Sequence, residues 1–215
     1  MQPAAPSSPA PSLTFGATPV LYSFRRCPYA MRARLALAVS GVEVEMREIL
    51  LRDKPAAFLA ASPSATVPCL VTPQCVIDES LEVMVWALRQ RDPEGWLKMP
   101  ETGWAWIARA DGPFKRALDR VKYASRFDPA EVEAARAEAV GFFEDLEAEL
   151  GDWIFEHPSL ADYAILPFVR QFAHSDKPWF DAQPWPRVQA WLAAFLASPR
   201  FQAVMAKQPI WAEPL

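Results

Sequence analysis

The chain has 215 residues, 52% of them hydrophobic and 22% charged, with a formal net charge of -4 at pH 7. That length buries a sizeable core in one large domain or two small ones. The charge balance argues against nucleic acid, which calls for a basic face, and no apolar run is long enough for a membrane span.

Residues 2–14 are rich in Pro, Ala and Ser and lack a charged start and an apolar core. Residues 1–17 therefore read as a flexible tail, or as a translation start placed too early, and not as a secretory signal. The expected location is the cytoplasm, where thiols stay reduced. From residue 18 to 90 strand and helix signals alternate. Val20–Phe24 reads as a strand and Pro28–Ser40 as a helix closed by Gly41, a residue suited to the position just past a helix end. Val42–Leu50 contains a second strand, and Pro55–Ala61 a short helical piece. Val67–Val71 and Val76–Ile77 read as short strands about the turn Thr72-Pro73-Gln74. Glu79–Gln90 is a helix with Leu81, Met84, Val85 and Leu88 on one stripe. The order βαβ–ββα needs a parallel pair with a crossover helix, then a hairpin with a helix behind it.

Residues 91–103 carry breakers (Arg91-Asp92-Pro93-Glu94-Gly95, later Met99-Pro100) and read as a linker. The remainder, 104–215, is helical only: Trp104–Ala110, Phe114–Ala124, Pro129–Leu150, Leu160–His174, Pro186–Ala197 and Pro199–Ala206. Ser159 with Asp162 resembles a capping box, a folding determinant with no catalytic part. Eight of the nine tryptophans fall after residue 90. Aromatics at helical spacing are usually core, with Trp104 and Trp179 as candidates to line a pocket for a flat apolar substrate. The charge is mildly uneven: residues 18–90 carry eight Lys/Arg against seven Asp/Glu, and 91–215 fourteen against nineteen.

Chemistry concentrates at Cys27. The stretch Tyr22-Ser23-Phe24-Arg25-Arg26-Cys27-Pro28-Tyr29-Ala30 runs from strand to helix start, and proline suits the first helical turn because its missing N–H has no partner there. A sulfur at that end meets unpaired N–H groups and the positive end of the helix dipole, so its pKa is expected to fall, with Arg25 and Arg26 adding positive potential. The alternative is a small buried cysteine of no chemical interest. Three cysteines (Cys27, Cys69, Cys75) do not make a disulfide scaffold, and His157 and His174 lie far apart with no ligand at metal spacing. No metal is expected.

A cysteine opening the first helix of a βαβ–ββα unit, with an all-helical domain behind it, resembles a thioredoxin fold in the setting of the cytosolic glutathione transferase superfamily. Cys27-Pro28-Tyr29-Ala30 resembles its cysteine-type branch, the omega-like transferases and the glutaredoxins that carry a helical domain. The match runs from about Thr18 to about Met205. The resemblance implies an α/β thioredoxin-like N-terminal domain followed by an all-α domain, with glutathione as co-substrate. It implies a cis Val67-Pro68 bond, with the Val67 backbone pairing with the cysteinyl part of glutathione. Ser80 would take the γ-glutamyl carboxylate and Glu79 face the amino group, although plain helix capping would use the same residues. Lys54 would reach the glycine carboxylate, and Tyr29 would pack against the tripeptide. Arg32 and Arg34 are expected to face solvent or the second domain.

Dithiol chemistry would need a second cysteine where Ala30 stands, so the expected cycle is monothiol: Cys27 takes glutathione from a mixed disulfide and a second glutathione restores the thiolate. Dehydroascorbate reduction fits the same half-reactions. A glutathione-conjugating transferase for apolar electrophiles, with Tyr22 or Ser23 supplying a hydroxyl, ranks second. A non-enzymatic transferase-like interaction module ranks third. The implied partners are glutathione and a small electrophilic or disulfide substrate, without nucleic acid or membrane, and both monomer and homodimer stay open.

Overall fold

The computed structural model describes residues 18–213; the tail expected over 1–17 lies outside them. The first unit is β1 (Val20–Ser23), α1 (Pro28–Ser40), β2 (Glu45–Glu48), α2 (Ala56–Ala61), β3 (Cys69–Val71), β4 (Val76–Ile77) and α3 (Ser80–Gln90). The sheet order is β2-β1-β3-β4. β1 runs parallel to β2, with Val20 opposite Glu45, and antiparallel to β3, with Leu21 opposite Leu70. The final hairpin pairs Leu70 with Ile77. This is the expected βαβ–ββα order. The third strand begins at Cys69 and not at Val67, because Pro68 has no N–H to give the ladder.

α1 sits at the centre of the molecule. Gly41, at φ 69°, ends it in the left-handed conformation and returns its N–H to the Leu37 carbonyl. Ten of its 13 residues are buried, because α3 covers one side and helices of the second unit cover the other. Of the two expected settings for Arg32 and Arg34, solvent or the second domain, the structure selects the second, where Asp111 and Val204 meet them. Arg32 is 2% exposed and Arg34 6%. The Arg34 guanidinium donates to Ser23 Oγ at 2.6 Å, the Arg25 carbonyl at 2.8 Å and the Val204 carbonyl at 3.1 Å.

The second unit begins earlier than expected, at Glu101, inside the segment read as a linker. α4 (Glu101–Arg109), a π turn (Ala110–Phe114) and α5 (Lys115–Lys122) follow without a break. The widened turn takes up Pro113, whose ring would clash in an ordinary α-helix interior. That is why Asp111-Gly112-Pro113 does not end the helix. A 3₁₀ turn (Ala124–Arg126) leads to α6 (Pro129–Glu149), α7 (Leu160–Ala173), α8 (Lys177–Asp181), α9 (Pro186–Ala197) and α10 (Pro199–Val204). Asp162 is fully buried and accepts the N–H groups of Ile154 and Ser159 (both 2.9 Å) and the Ser159 hydroxyl (2.7 Å), which pins the start of α7. Within residues 91–100, one side chain anchors the segment to the helical unit. Trp96 is fully buried, stacks on Tyr163 at 3.9 Å, and accepts the Leu160 N–H on its carbonyl.

Besides the Arg34–Val204 bond, two further contacts join the units around the site. Arg32 forms a bidentate pair with Asp111 of the π turn (2.7 and 3.0 Å). At the open edge of β2, Ile210 bridges Glu48 and the Trp211 N–H donates to the Glu48 carbonyl at 2.7 Å. The Trp211 ring lies under the Arg47 guanidinium and meets Tyr22 edge-on. An unpaired strand edge invites foreign strands, and this segment covers it.

Asp111→Ala leaves a buried guanidinium without its counter-charge, which costs about 3 kcal/mol. Urea unfolding should show that loss as a lowered midpoint at unchanged slope. A loss under about 1 kcal/mol would mean the pair contributes no more than an exposed surface bridge.

Candidate active site

The Cys27 N–H donates to the Phe24 carbonyl at 3.0 Å, a tight turn that carries the chain from β1 into α1 and leaves Cys27 at the cap position. Its Sγ lies 3.7 Å from the Val67 carbonyl, at hydrogen-bonding distance for sulfur. The Val67-Pro68 bond is cis. The expected drop in the thiol pKa does not appear. Burial pushes it up, and this outweighs the N–H groups of Ala30 and Tyr29 and the charges of Arg34 and Lys115, which all favour the thiolate. Nor are Arg25 and Arg26 the cations that matter. The Arg25 guanidinium reaches the Met205 carbonyl at 3.5 Å, and Arg26 lies over the Phe24 ring at 5.6 Å.

A cavity of about 410 Å³ opens beside the sulfur. Cys27, Tyr29, Lys54, Val67, Pro68, Glu79 and Ser80, all singled out in the sequence, line it together. Lys54 Nζ donates to the Ala65 carbonyl at 3.0 Å; Ala65 itself has φ 51°, an unusual conformation for a residue with a side chain. Ser80 opens α3, and its Oγ accepts from Arg32 Nε at 3.0 Å, which leaves its own hydrogen to donate into the cavity. Glu79 stands exposed at the rim. The sequence reading missed Leu51, Ala65, Thr66 and Asp78. Asp78 organises the wall by accepting from the Ser64 N–H at 2.7 Å and the Ser62 hydroxyl at 2.8 Å. Burial pushes its carboxyl pKa up, but the hydrogen bonds from Ser64, Ser62 and Cys69 prevail and hold it below the usual range.

A second cavity, about 500 Å³, shares Cys27, Tyr29 and Leu51 with the first. Its far wall is helical: Lys115, Asp119 and Lys122 of α5, then Tyr123, with Gln171 of α7. The sulfur therefore stands where the two cavities meet. Tyr29 lies between them, its ring edge-on to Phe168 at 4.8 Å. Burial, aided by the Asp111 charge, pushes its hydroxyl to about 12, so it is a proton donor and not a phenolate. Neither of the two tryptophans proposed as pocket walls lines the cavities at Cys27. Trp104 lines a separate cavity with Leu81, Val85 and Trp86 of α3, and Trp179 packs near Phe172 and Trp185.

None of the other groups that could compete with Cys27 lines the two cavities. Tyr22 Oη accepts from Arg47 at 2.7 Å, and Ser23 is fully buried under Arg34. Cys69 is fully buried and its thiol is pushed up to about 12, first by burial and then by the charge and hydrogen bond of Asp78. Cys75 is exposed beside Thr72. His174 Nδ1 lies 2.9 Å from the Arg170 carbonyl, and no group of three His, Cys, Asp or Glu gathers at metal-binding distance among the described residues.

With the resting thiol held protonated, its alkylation rate should climb with pH through an inflection above the usual thiol value of about 8.5. Lys115→Ala removes a charge that favours the thiolate and should move the inflection higher. Peptide-resolved mass spectrometry separates Cys27 from Cys75; an inflection at or below about 8.5 would contradict the dominance of burial.

Comparison with known proteins follows this geometry closely. Residues 21–95 match the family model of the glutathione S-transferase N-terminal domain and residues 129–194 that of the C-terminal domain. Glutathione S-transferase U22 of Arabidopsis thaliana is 34% identical over 74% of this chain and 75% of its own length. Glutathione S-transferase omega-1 of Sus scrofa is 27% identical over 86% of this chain and 79% of its own. The omega-2 enzymes of Mus musculus and Homo sapiens match at 40% over 55 residues, so the matched part of this chain spans under a quarter of those relatives' length. Among solved structures, a glutathione transferase family member from Pseudomonas fluorescens pf-5, with two glutathione bound, superposes with a TM-score of 0.77 at 18% identity, covering 90% of this chain and 94% of that one. At that identity the likeness concerns the fold. No described helix is long and apolar enough to cross a membrane.

Proposed function

The chain belongs to the cytosolic glutathione transferase superfamily, on its omega-like side, and we propose that it is a glutathione-dependent thiol transferase with Cys27 as its single nucleophile. The observation that carries this reading is the position of the Cys27 sulfur, at the junction of two cavities and at the start of α1, while Cys69 is buried, Cys75 lines neither cavity and the strand-1 hydroxyls are engaged by Arg47 and Arg34.

In this reading glutathione lies in the 410 Å³ cavity. Ser80 and the N–H groups opening α3 hold the γ-glutamyl carboxylate, Glu79 meets the amino group, and Lys54 meets the glycine carboxylate. The cysteinyl N–H takes the Val67 carbonyl, the acceptor that the Cys27 thiol uses at rest. Occupancy thus removes a contact of the neutral thiol and leaves those that favour the thiolate: the Ala30 and Tyr29 N–H groups, Arg34 and Lys115. The proton leaves to water. Cys27–S⁻ then attacks the glutathione sulfur of G–S–S–R, forming Cys27–S–S–G as the G–S–S–R bond breaks and R–S⁻ departs. A second glutathione thiolate attacks the new disulfide, releasing G–S–S–G and Cys27–S⁻. Conjugation is the weaker reading, because the Tyr22 hydroxyl is engaged by Arg47, Ser23 is fully buried under Arg34, and neither lines the cavities at Cys27. Unpaired thiols at all three cysteines suit a reducing compartment, and the cytoplasm is the proposed location.

Cys27→Ser should abolish transfer from a glutathionylated substrate. Lys54→Ala and Ser80→Ala should each weaken glutathione binding about tenfold, the worth of one charge-assisted contact. Turnover that survives in Cys27→Ser, or calorimetric affinity unchanged in both other variants, would overturn the reading.

A further inference from the structure

We infer that the second substrate is a planar organic anion, an aromatic carboxylate or its equivalent, held in the 500 Å³ cavity by Arg26 and Lys122. The inference rests on the thiol-transfer reading, since it names what enters the cavity on the other side of Cys27.

Three observations carry it. The first is charge. The cavity is lined by Arg26, Lys115 and Lys122 against a single carboxylate, Asp119. Asp119 is already taken by Lys115, one helical turn away. Neither Arg26 nor Lys122 has a carboxylate within ion-pair distance among the described residues; each lies only over an aromatic ring, Phe24 and Tyr123. Two cations without counter-charges therefore flank the space in front of the sulfur.

The second is where the chain puts its basic residues. Residues 91–215 are acidic, fourteen Lys/Arg against nineteen Asp/Glu. Within that acidic domain the stretch 115–126 carries Lys115, Arg116, Arg120, Lys122 and Arg126 against Asp119 alone. This stretch includes the helical wall facing Cys27. A cleft with one sign of charge attracts the opposite ion and raises its local concentration.

The third is the apolar surface. Leu51 is 42% exposed and Tyr123 38%, large side chains left open to solvent, and both line this cavity. Phe24 and Tyr29 complete an aromatic lining. Flat apolar walls with uncompensated cations among them suit a ring that carries a negative group. The departing species in such a case is Ar–S⁻, formed as Cys27–S⁻ takes the glutathionyl sulfur from G–S–S–Ar; a second glutathione returns the enzyme, so the net reaction converts G–S–S–Ar and glutathione into G–S–S–G and Ar–SH.

The test uses mixed disulfides of glutathione with 4-mercaptobenzoate, with its carboxamide, and with the 4-aminomethyl analogue, each rate divided by its uncatalysed rate with glutathione. The carboxylate should show a kcat/KM about tenfold above the amide at low salt and further above the ammonium, a margin of one charge-assisted contact. In the Arg26→Gln/Lys122→Gln variant the carboxylate-to-amide ratio should fall to about one, and added salt should erode it in the wild type. Equal or better use of the amide or the ammonium, or a ratio unchanged in the double variant, would overturn the inference. Calorimetric binding of the unreactive 4-(methylthio)benzoate and its amide separates the two readings. Carboxylate-selective binding that the double variant loses, with no turnover of any disulfide, would support the anion site and sink the thiol-transfer reading. Binding without selectivity would sink the anion site.

Discussion

The guanidinium of Arg32 is the constraint on which the rest of the site depends. A buried cation of that size costs several kcal/mol unless its donors are met and its charge is paired. Here Nε donates to Ser80 Oγ while the two terminal nitrogens take both oxygens of Asp111. Its flat faces lie against Tyr29 and Phe168, at 5.3 and 5.2 Å from the ring centres. One side chain thus orients the hydroxyl at the start of α3, sets the Tyr29 ring between the cavities, and locks the π turn of the helical unit against α1. A fork with fixed geometry can satisfy all these partners at once, where an ammonium could not. The π turn is part of the same device, since it presents Asp111 while taking up Pro113 without ending the helix.

The sulfur illustrates a contest that proximity to a helix start does not settle. Helix N–H groups and two cations act on Cys27, yet burial prevails and the resting thiol keeps its proton. In the proposed cycle this is useful. A thiolate exposed at rest would react with any disulfide or oxidant that reached it. In that cycle, a peptide backbone that claims the Val67 carbonyl removes one contact of the neutral thiol, which would tie activation to occupancy of the glutathione cavity.

Much of this was legible in the chain alone. The βαβ–ββα order followed from alternating apolar runs and from Pro28 and Gly41 bracketing α1, which are local signals. The residues on the α/β side of the cavity stood close to motif positions (Cys27-Pro28, Val67-Pro68, Glu79-Ser80), so they could be picked out before any fold was known. The helical wall could not. Lys115 and Lys122 lie on α5, whose sequence has the pattern of an ordinary surface helix, and only packing against α6 and α7 turns that face toward the sulfur. The interior placement of Arg32 and Arg34 was hidden for a related reason: charge reads as exposure unless the partner is known, and the partners lie 79 residues away at Asp111 and 170 away at Val204. The tryptophans read mostly as core, as Trp96, Trp106, Trp185 and Trp191 are, but large rings alone do not say which cavity a partly exposed one such as Trp104 lines.

The central claim is that one sulfur, placed by the start of α1, carries glutathione between substrates. Peptide mapping by mass spectrometry of the chain after exposure to glutathione disulfide addresses it most directly. The account predicts a single glutathionyl adduct on Cys27, removed by added glutathione, with buried Cys69 unmodified. Modification confined to Cys75, or an adduct on Cys69 in the folded chain, would contradict it.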